Sequence, residues 1–312
     1  SVFDQTFACA QSRSSFLGFN FDEPIWRYYT NPSDWGSDHL RHDISLAEFQ
    51  NLYNNIKLQN PNALVWFGEP PAHKVLGAGV SSCPPSDPYC FIDDDFNGWV
   101  TDMRSYSQAT DIYSVHFYPI PNNPCNPGGS YCVFDNPELN VIGDIVDTIK
   151  RDIVDYAKPV WVTLQHRTDN SPYAPDLAEK RFMAYESIIH GATGIFFYTW
   201  DVEEYRPSSC EVPPPGCYGD SRSPSFWETT KVVATELKTM TPVLVSPSQT
   251  ISVTNNPAID TLVKEYNGQK YLIAANRHNS ATSATFGTTQ LWPSDTSIDV
   301  LFEDRTLTFS SG

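Results

Sequence analysis

Asp22 and Glu23 stand side by side at the end of the run Phe16-Leu17-Gly18-Phe19-Asn20-Phe21, and Pro24 follows at once. Two carboxylates can divide acid–base work, one held protonated to deliver a proton while the other stays ionised. Phe, Leu and Phe make an apolar, β-favouring run, and Pro24 has no N–H for a ladder, so strand pairing stops there. The strand runs out on the two acids. In a parallel barrel that end of a strand lies on the rim that carries catalytic groups. Alternation sets Asn20 and Asp22 on one side and Phe21 with Glu23 on the other, so the acids need not share a role.

The same arrangement recurs along the chain. Glu69 closes Ala63–Glu69 before Pro70 and Pro71, where a salt bridge to Lys74 would explain it equally well. His116 and Tyr118 end the run Asp111–Tyr118 before Pro119, and a lone His in an apolar strand is ordinarily a hydrogen-bonded core residue. Gln165 and His166 end the run that begins at Pro159, and Trp200 with Asp201 ends the run from Gly194. Gln165 and His166 are polar where a rim is expected and can hydrogen-bond a hydroxyl-rich ligand. Tyr118, Trp200, Trp26 and Tyr28 can stack on a ring or pack beneath a loop. There is no Gly-rich phosphate loop, no Gly-x-Ser-x-Gly elbow and no His-Glu-x-x-His helix, which disfavours phosphoryl transfer, serine hydrolysis and zincin chemistry. No metal and no cofactor is expected.

The elements that position these residues alternate. The five strand candidates are near-continuous apolar runs, as expected for strands buried on both faces. Between them, Ser45 with Glu48 forms a capping box ahead of Leu46, Phe49, Leu52, Tyr53 and Ile56 at helical spacing, and Asp93 to Asp95 open a second helix. Residues 137–156, 175–190 and 224–240 supply further helices. Strand and helix in turn predict an α/β fold, a (β/α)8 barrel or partial barrel, over residues 1–242. Helix-to-strand links are short and strand-to-helix links long, so one end of the barrel is elaborated. After residue 243 short alternating strands (Thr250–Thr254, Asp260–Tyr266, Lys270–Asn276, Ser283–Phe286, Ile298–Phe302, Thr306–Phe309) predict a small all-β sandwich domain to residue 312, with a turn at Asn267-Gly268.

Composition narrows the partners. The 312 residues carry a net charge of −17, so there is no basic excess to displace counterions from a nucleic acid. No window of about 18 apolar residues predicts a membrane span. No basic and apolar leader opens the sequence. Six of the seven cysteines form three like-spaced pairs, Cys83 with Cys90, Cys125 with Cys132 and Cys210 with Cys217, in loops without histidine. These read as disulfide staples and imply an oxidising, extracellular setting. Cys9 is left over and suggests a partner elsewhere.

Taken together, the five βα units, the Asp-Glu-Pro strand end and the aromatic last strand ending in Trp200 resemble strands 4 to 8 of a (β/α)8 glycoside hydrolase. The clan resembled is the retaining one with its acid/base glutamate on strand 4, often as Asn-Glu-Pro, and its nucleophile on strand 7. The resemblance implies Glu23 as acid/base, Asp22 in the Asn position, His116 and Tyr118 at the end of strand 6, and Trp200 as the sugar-site tryptophan. Strand 7 departs from the pattern, because it ends in Gln165 and an amide cannot act as the nucleophile. A second carboxylate has to lie about 5 Å from the first for retention or about 6.5–9.5 Å for inversion, and Glu69 and Asp201 are the available substitutes. Strands 1 to 3 have no counterpart, which implies a segment of a longer chain or an open sheet finished by another subunit. The function so implied is cleavage of a polysaccharide by a secreted enzyme. The alternative is a non-catalytic extracellular protein that binds glycan or serves assembly.

Overall fold

The computed structural model describes residues 16–22, 44–69, 96–118, 139, 141–166, 175–198, 224–249, 256–278, 281–284, 286, 297–303 and 305–308. Five strands, β1 (Gly18–Asp22), β2 (Leu64–Glu69), β3 (Ile112–Phe117), β4 (Val160–Gln165) and β5 (Gly194–Tyr198), form one parallel sheet in sequential order. Between them run α1 (Leu46–Gln59), α2 (Phe96–Ser107), α3 (Val141–Thr148, continued by a π-helical turn at Ile149–Ile153) and α4 (Leu177–Ile189), and α5 (Pro224–Leu244) follows β5. With right-handed crossovers, an order that never reverses puts all helices on one face of the sheet.

The register is that of a barrel. Asp22 pairs with Gly68, Gly68 with Ser114, Ser114 with Trp161 and Trp161 with Gly194. Along that line β1 is at its last residue and β5 at its first, so Tyr198 ends β5 four positions beyond the level of Asp22. A climb of four residues over four strand steps is about one residue per strand, the stagger that closes eight strands with a shear of 8. The sheet is a partial (β/α)8 barrel.

Alternation along this register sorts the side chains. Phe21, Phe67, Tyr113, Val115, Phe117, Val160, Val162, Leu164, Ile195 and Phe197 share one parity and pack with Phe49 of α1, Met103 of α2, Ile142, Ile145 and Val146 of α3 and Met183 of α4 in one core. The other parity carries Trp66, Ile112, Ser114, His116, Trp161, Thr163, Gln165, Phe196 and Tyr198. There Trp66 meets Trp161 with ring centroids 5.3 Å apart although β3 lies between their strands. Strands two apart are separated by about 9.6 Å, so these rings converge as on the concave side of a curled sheet, over the small Ser114. Gly194 makes room for this layer: a Cβ there would lie 2.4 Å from the Trp161 ring.

Local signals explain the helices. Ser45 and Glu48 cap α1 reciprocally, with Ser45 N donating to the Glu48 carboxylate at 3.0 Å, and Asp176 with Glu179 does the same for α4. Asp111 fastens the start of β3: it accepts from Val65 N at 2.8 Å and from the Tyr53 hydroxyl at 3.2 Å, and pairs with Lys57 at 2.6 Å.

Several expectations are corrected. The strands are not equally buried on both faces; Phe196 on the concave side is 40% exposed, whereas Phe67 on the helix side is fully buried. After α5 the described structure is all antiparallel β, with β6 (Ser248–Gln249), β7 (Ile259–Tyr266) and β8 (Gln269–Asn276) in one sheet and β9 (Ser297–Val300) with β10 (Arg305–Thr308) in another. Asn267 and Gly268 make the β7–β8 turn at φ 52° and 76°, which suits a type I′ hairpin. The expected strand Ser283–Phe286 is absent among its described residues, where Ser283 O accepts from the Asn256 side chain at 2.9 Å. Residues 250–254 lie outside the described residues.

Candidate functional site at the strand ends

The C-terminal ends of β3, β4 and β5 bring His116, Tyr118, Gln165 and Tyr198 together. Gln165 pairs with Tyr198 in the ladder, and His116 lies two positions below that level on the same face. The His116 ring stacks on Tyr118 at 5.6 Å and 13°, and Tyr118 stacks on Tyr198 at 5.6 Å and 17°. Three parallel rings therefore form a wall at the concave rim, with a buried amide beside it. Tyr198 is 38% exposed, so the wall is accessible at its end. Such a wall offers a flat apolar face while its hydroxyls and imidazole keep polar edges, the combination that suits a ligand with one apolar and one hydroxylated side.

Glu69 ends β2 with the parity of Phe67 and Tyr113, so the pleat directs it toward the helix layer rather than the concave wall. It is almost fully buried. Burial, and next the charge of Glu69, hold the Tyr113 hydroxyl well above its ordinary pKa. His166 is one residue past Gln165 and likewise leaves the concave face. Its N–H donates to Tyr198 O at 2.8 Å, and its Nδ1 lies 2.8 Å from Thr230 Oγ1 and 3.1 Å from Lys180 Nζ. Lys180 reaches Thr229 and Thr230 as well, each at 3.0 Å, and burial lowers its pKa to about 8. His166 thus sits in a polar seam between β4, α4 and α5, set apart from the aromatic wall.

Asp22 occupies the last position of β1, level with Gly68. Glu23, Trp200, Asp201, Trp26 and Tyr28 lie outside the described residues, as do Lys74 and Cys9. The three expected disulfides fall there too: Cys83 and Cys90, Cys125 and Cys132, and Cys210 and Cys217 are all outside the described residues. The one group of His, Asp and Glu side chains among the described residues close enough to share a metal ion is Glu186, His190 and Asp260, at the far end of α4 from the rim. Sequence reading passed over it. Glu186 and His190 are four apart on one helix, a ligand-pair spacing visible in the sequence, but nothing local predicts that Asp260 joins them.

Comparison with known proteins identifies no relative in sequence: no protein-family model matches the chain, and no curated protein matches it. Solved structures with a similar fold include a candidate alpha-L-fucosidase from Bacteroides thetaiotaomicron, at 8% identity and TM-score 0.46 over 74% of this chain and 61% of that one. They also include an alpha-amylase from Geobacillus thermoleovorans, at 12% identity and TM-score 0.45 over 88% of this chain and 54% of that one. Bee venom hyaluronidase matches at 13% identity and TM-score 0.41 over 63% of this chain and 67% of that one. The chain thus spans less than two thirds of the first and second of these. With TM-scores below 0.5, none of them bears on the chemistry, and the partial-barrel assignment rests on strand order and register.

Proposed function

We propose that the protein acts on polysaccharide glycosidic bonds at the rim of the partial barrel, with Glu23 as proton donor to the leaving oxygen. The observation that supports this reading is the stacked wall of His116, Tyr118 and Tyr198 beside Gln165, at the strand ends of the sheet that opens into Asp22-Glu23. A pyranose ring presents an apolar face to such a wall and its hydroxyls to the amide. Glu69 or Asp201 would be the second carboxylate, and Trp200 would complete the sugar site. In this reading the protein is extracellular and its three short cysteine pairs are disulfides. Among the described residues no helix is long and apolar enough to cross a membrane.

Release of reducing ends from a panel of plant, algal and microbial polysaccharides tests the proposal. Glu23→Gln and Asp201→Asn are each expected to lower turnover by about 100-fold or more, the scale of losing a positioned acid or base, while the fold is kept. Full turnover by Glu23→Gln would sink the assignment. The second reading is glycan binding without cleavage, favoured by an amide, Gln165, where the resembled clan carries its nucleophile. Retention of the protein on a polysaccharide, with no product from any substrate, would establish that reading instead.

A further inference from the structure

A second constellation lies at the opposite end of the sheet. α4 runs back against the strands, so its C-terminal end lies near their N-terminal ends, and His190 is its capping residue. Glu186, one turn earlier, is fully buried, and among the described residues neither of its carboxylate oxygens has a hydrogen-bond partner. Asp260 reaches the same place from β7. His190 Nε2 lies 3.5 Å from Glu186 Oε1 and 3.5 Å from Asp260 Oδ2. The imidazole is fixed from its other side, where Nδ1 donates to Asp147 Oδ2 of α3 at 2.9 Å.

That hydrogen bond decides what faces the centre. With Nδ1 turned to Asp147, Nε2 faces the two carboxylates of Glu186 and Asp260. The two carboxylates repel unless positive charge stands between them, a metal ion or a proton on His190, and Arg277 Nε meets Asp260 Oδ2 from outside at 3.2 Å. A proton on Nε2 would form charge-assisted bonds of about 2.7–2.9 Å; the observed separations are longer, and none of the three atoms meets hydrogen-bond geometry. Ligands held at about 2.0–2.2 Å around a tetrahedral zinc lie about 3.3–3.6 Å apart, which the two 3.5 Å separations match. The charge count agrees. Asp144, Asp147, Glu186 and Asp260 surround the site, against Arg277, which contacts Asp260 at 3.2 Å and Asp144 at 2.9 Å.

We infer that Glu186, His190 and Asp260 bind one first-row divalent cation that ties the end of α4 to β7. Asp147 serves as the outer carboxylate that orients the histidine, as in carboxylate–histidine–zinc arrangements. Gly143 is part of the cradle, since a Cβ there would lie 2.5 Å from His190 Nε2. Placed away from the rim, the ion is structural. The competing occupant is a proton: burial works against it, but the hydrogen bond to Asp147 and the nearby Asp260 and Glu186 carboxylates raise the His190 pKa to about 11.

The test is zinc chloride titration of the chelator-stripped full chain against a chromophoric competitor. One equivalent is expected to bind, with affinity lowered at least tenfold by Glu186→Gln and by Asp260→Asn, and about 10–100-fold by Asp147→Asn. Should Glu186→Gln fail to fold, the half-exposed Asp147 and the part-exposed Asp260 still give two variants that decide the matter. Zinc bound equally by the wild type and these variants would place the ion elsewhere, on cysteine or another histidine, and overturn the inference. Failure of the wild type to bind zinc would overturn it too, leaving a centre closed by a proton on His190.

Discussion

The two faces of the five-stranded sheet are built from the same strands, residue by alternate residue, yet they carry different kinds of side chain. The helix-facing set is Phe, Val, Leu and Ile with Tyr113, buried against α1 to α4. The concave set is mostly Trp, His, Ser, Thr, Gln, Tyr and Phe, with Ile112 opposite Trp66, and its rings contact one another. Hydrophobic burial scales with area removed from water, so the first set holds the fold. The second leaves ring faces and polar edges within reach of a ligand. Within the described strands, parity along the register separates the ring-bearing wall from the helix-side core. Glu69 and Gln165 both end strands, and they fall on opposite sides of that line.

The difference is sharpest where a large side chain is cut away. Phe67→Ala on the helix face, where Phe67 meets Phe49 and Tyr113 in edge-on contacts, should cost about 3–5 kcal/mol and unfold much of the chain in a urea titration. A loss under about 1 kcal/mol, well below that range, would mean that the helix face does not hold the fold.

A second prediction concerns the polar seam behind β4. Burial lowers the Lys180 pKa to about 8 in the folded state, against 10.5 in the unfolded chain. Between these values the unfolded chain binds more protons, so stability rises with pH through that window. Urea midpoints measured from about pH 7.5 to about pH 10.5 should climb more steeply in the wild type than in Lys180→Met. Identical slopes would show that Lys180 is charged throughout.

Much of this fold is legible in the sequence, and the reasons are physical. Strands buried on at least one face leave apolar runs, and prolines such as Pro70 and Pro119 mark where pairing stops. Ser45 with Glu48 announces α1 because both halves of the cap are local. What is not legible is non-local. The concave exposure of Phe196 depends on sheet curl, and apolarity alone reads the same for either face. The π-helical turn at Ile149–Ile153 keeps its isoleucines buried without a break in the apolar pattern. Ser283–Phe286 alternates like a strand, but Ser283 O bonds to the side chain of Asn256, 27 residues away, which local alternation cannot reveal. Among the candidate site residues, the strand ends pointed to Gln165, His116 and Tyr118, whereas the departure of His166 into the helix layer depends on Lys180 and Thr230, far along the chain.

A third experiment crowds the concave layer. Gly194→Ala pushes a methyl group into the Trp161 ring, whose own neighbours are Trp66 and Phe196. Overpacking of this kind costs about 1–3 kcal/mol. Thermal unfolding of the variant should place it between the Phe67 truncation and the wild type. No change at all would mean that the aromatic layer is loose and that Trp161 moves aside freely.

The smallest effect on stability is expected at Tyr198, and there the comparison gains most. Its side chain is part-exposed and packs on Tyr118 at the end of the wall, so Tyr198→Ala removes little buried area and should cost under about 1 kcal/mol. Its ring face is also what a sugar would cover, and truncation should weaken retention on a polysaccharide matrix by about tenfold, the scale of one lost stacking contact of roughly 1–1.5 kcal/mol. Migration through a polysaccharide-containing native gel, read beside the unfolding midpoint, separates the two quantities. Large destabilisation with unchanged migration would make Tyr198 a packing residue and take the concave face out of the functional argument. Weakened retention at near wild-type stability would assign the concave wall to ligand and leave the fold to the residues behind it.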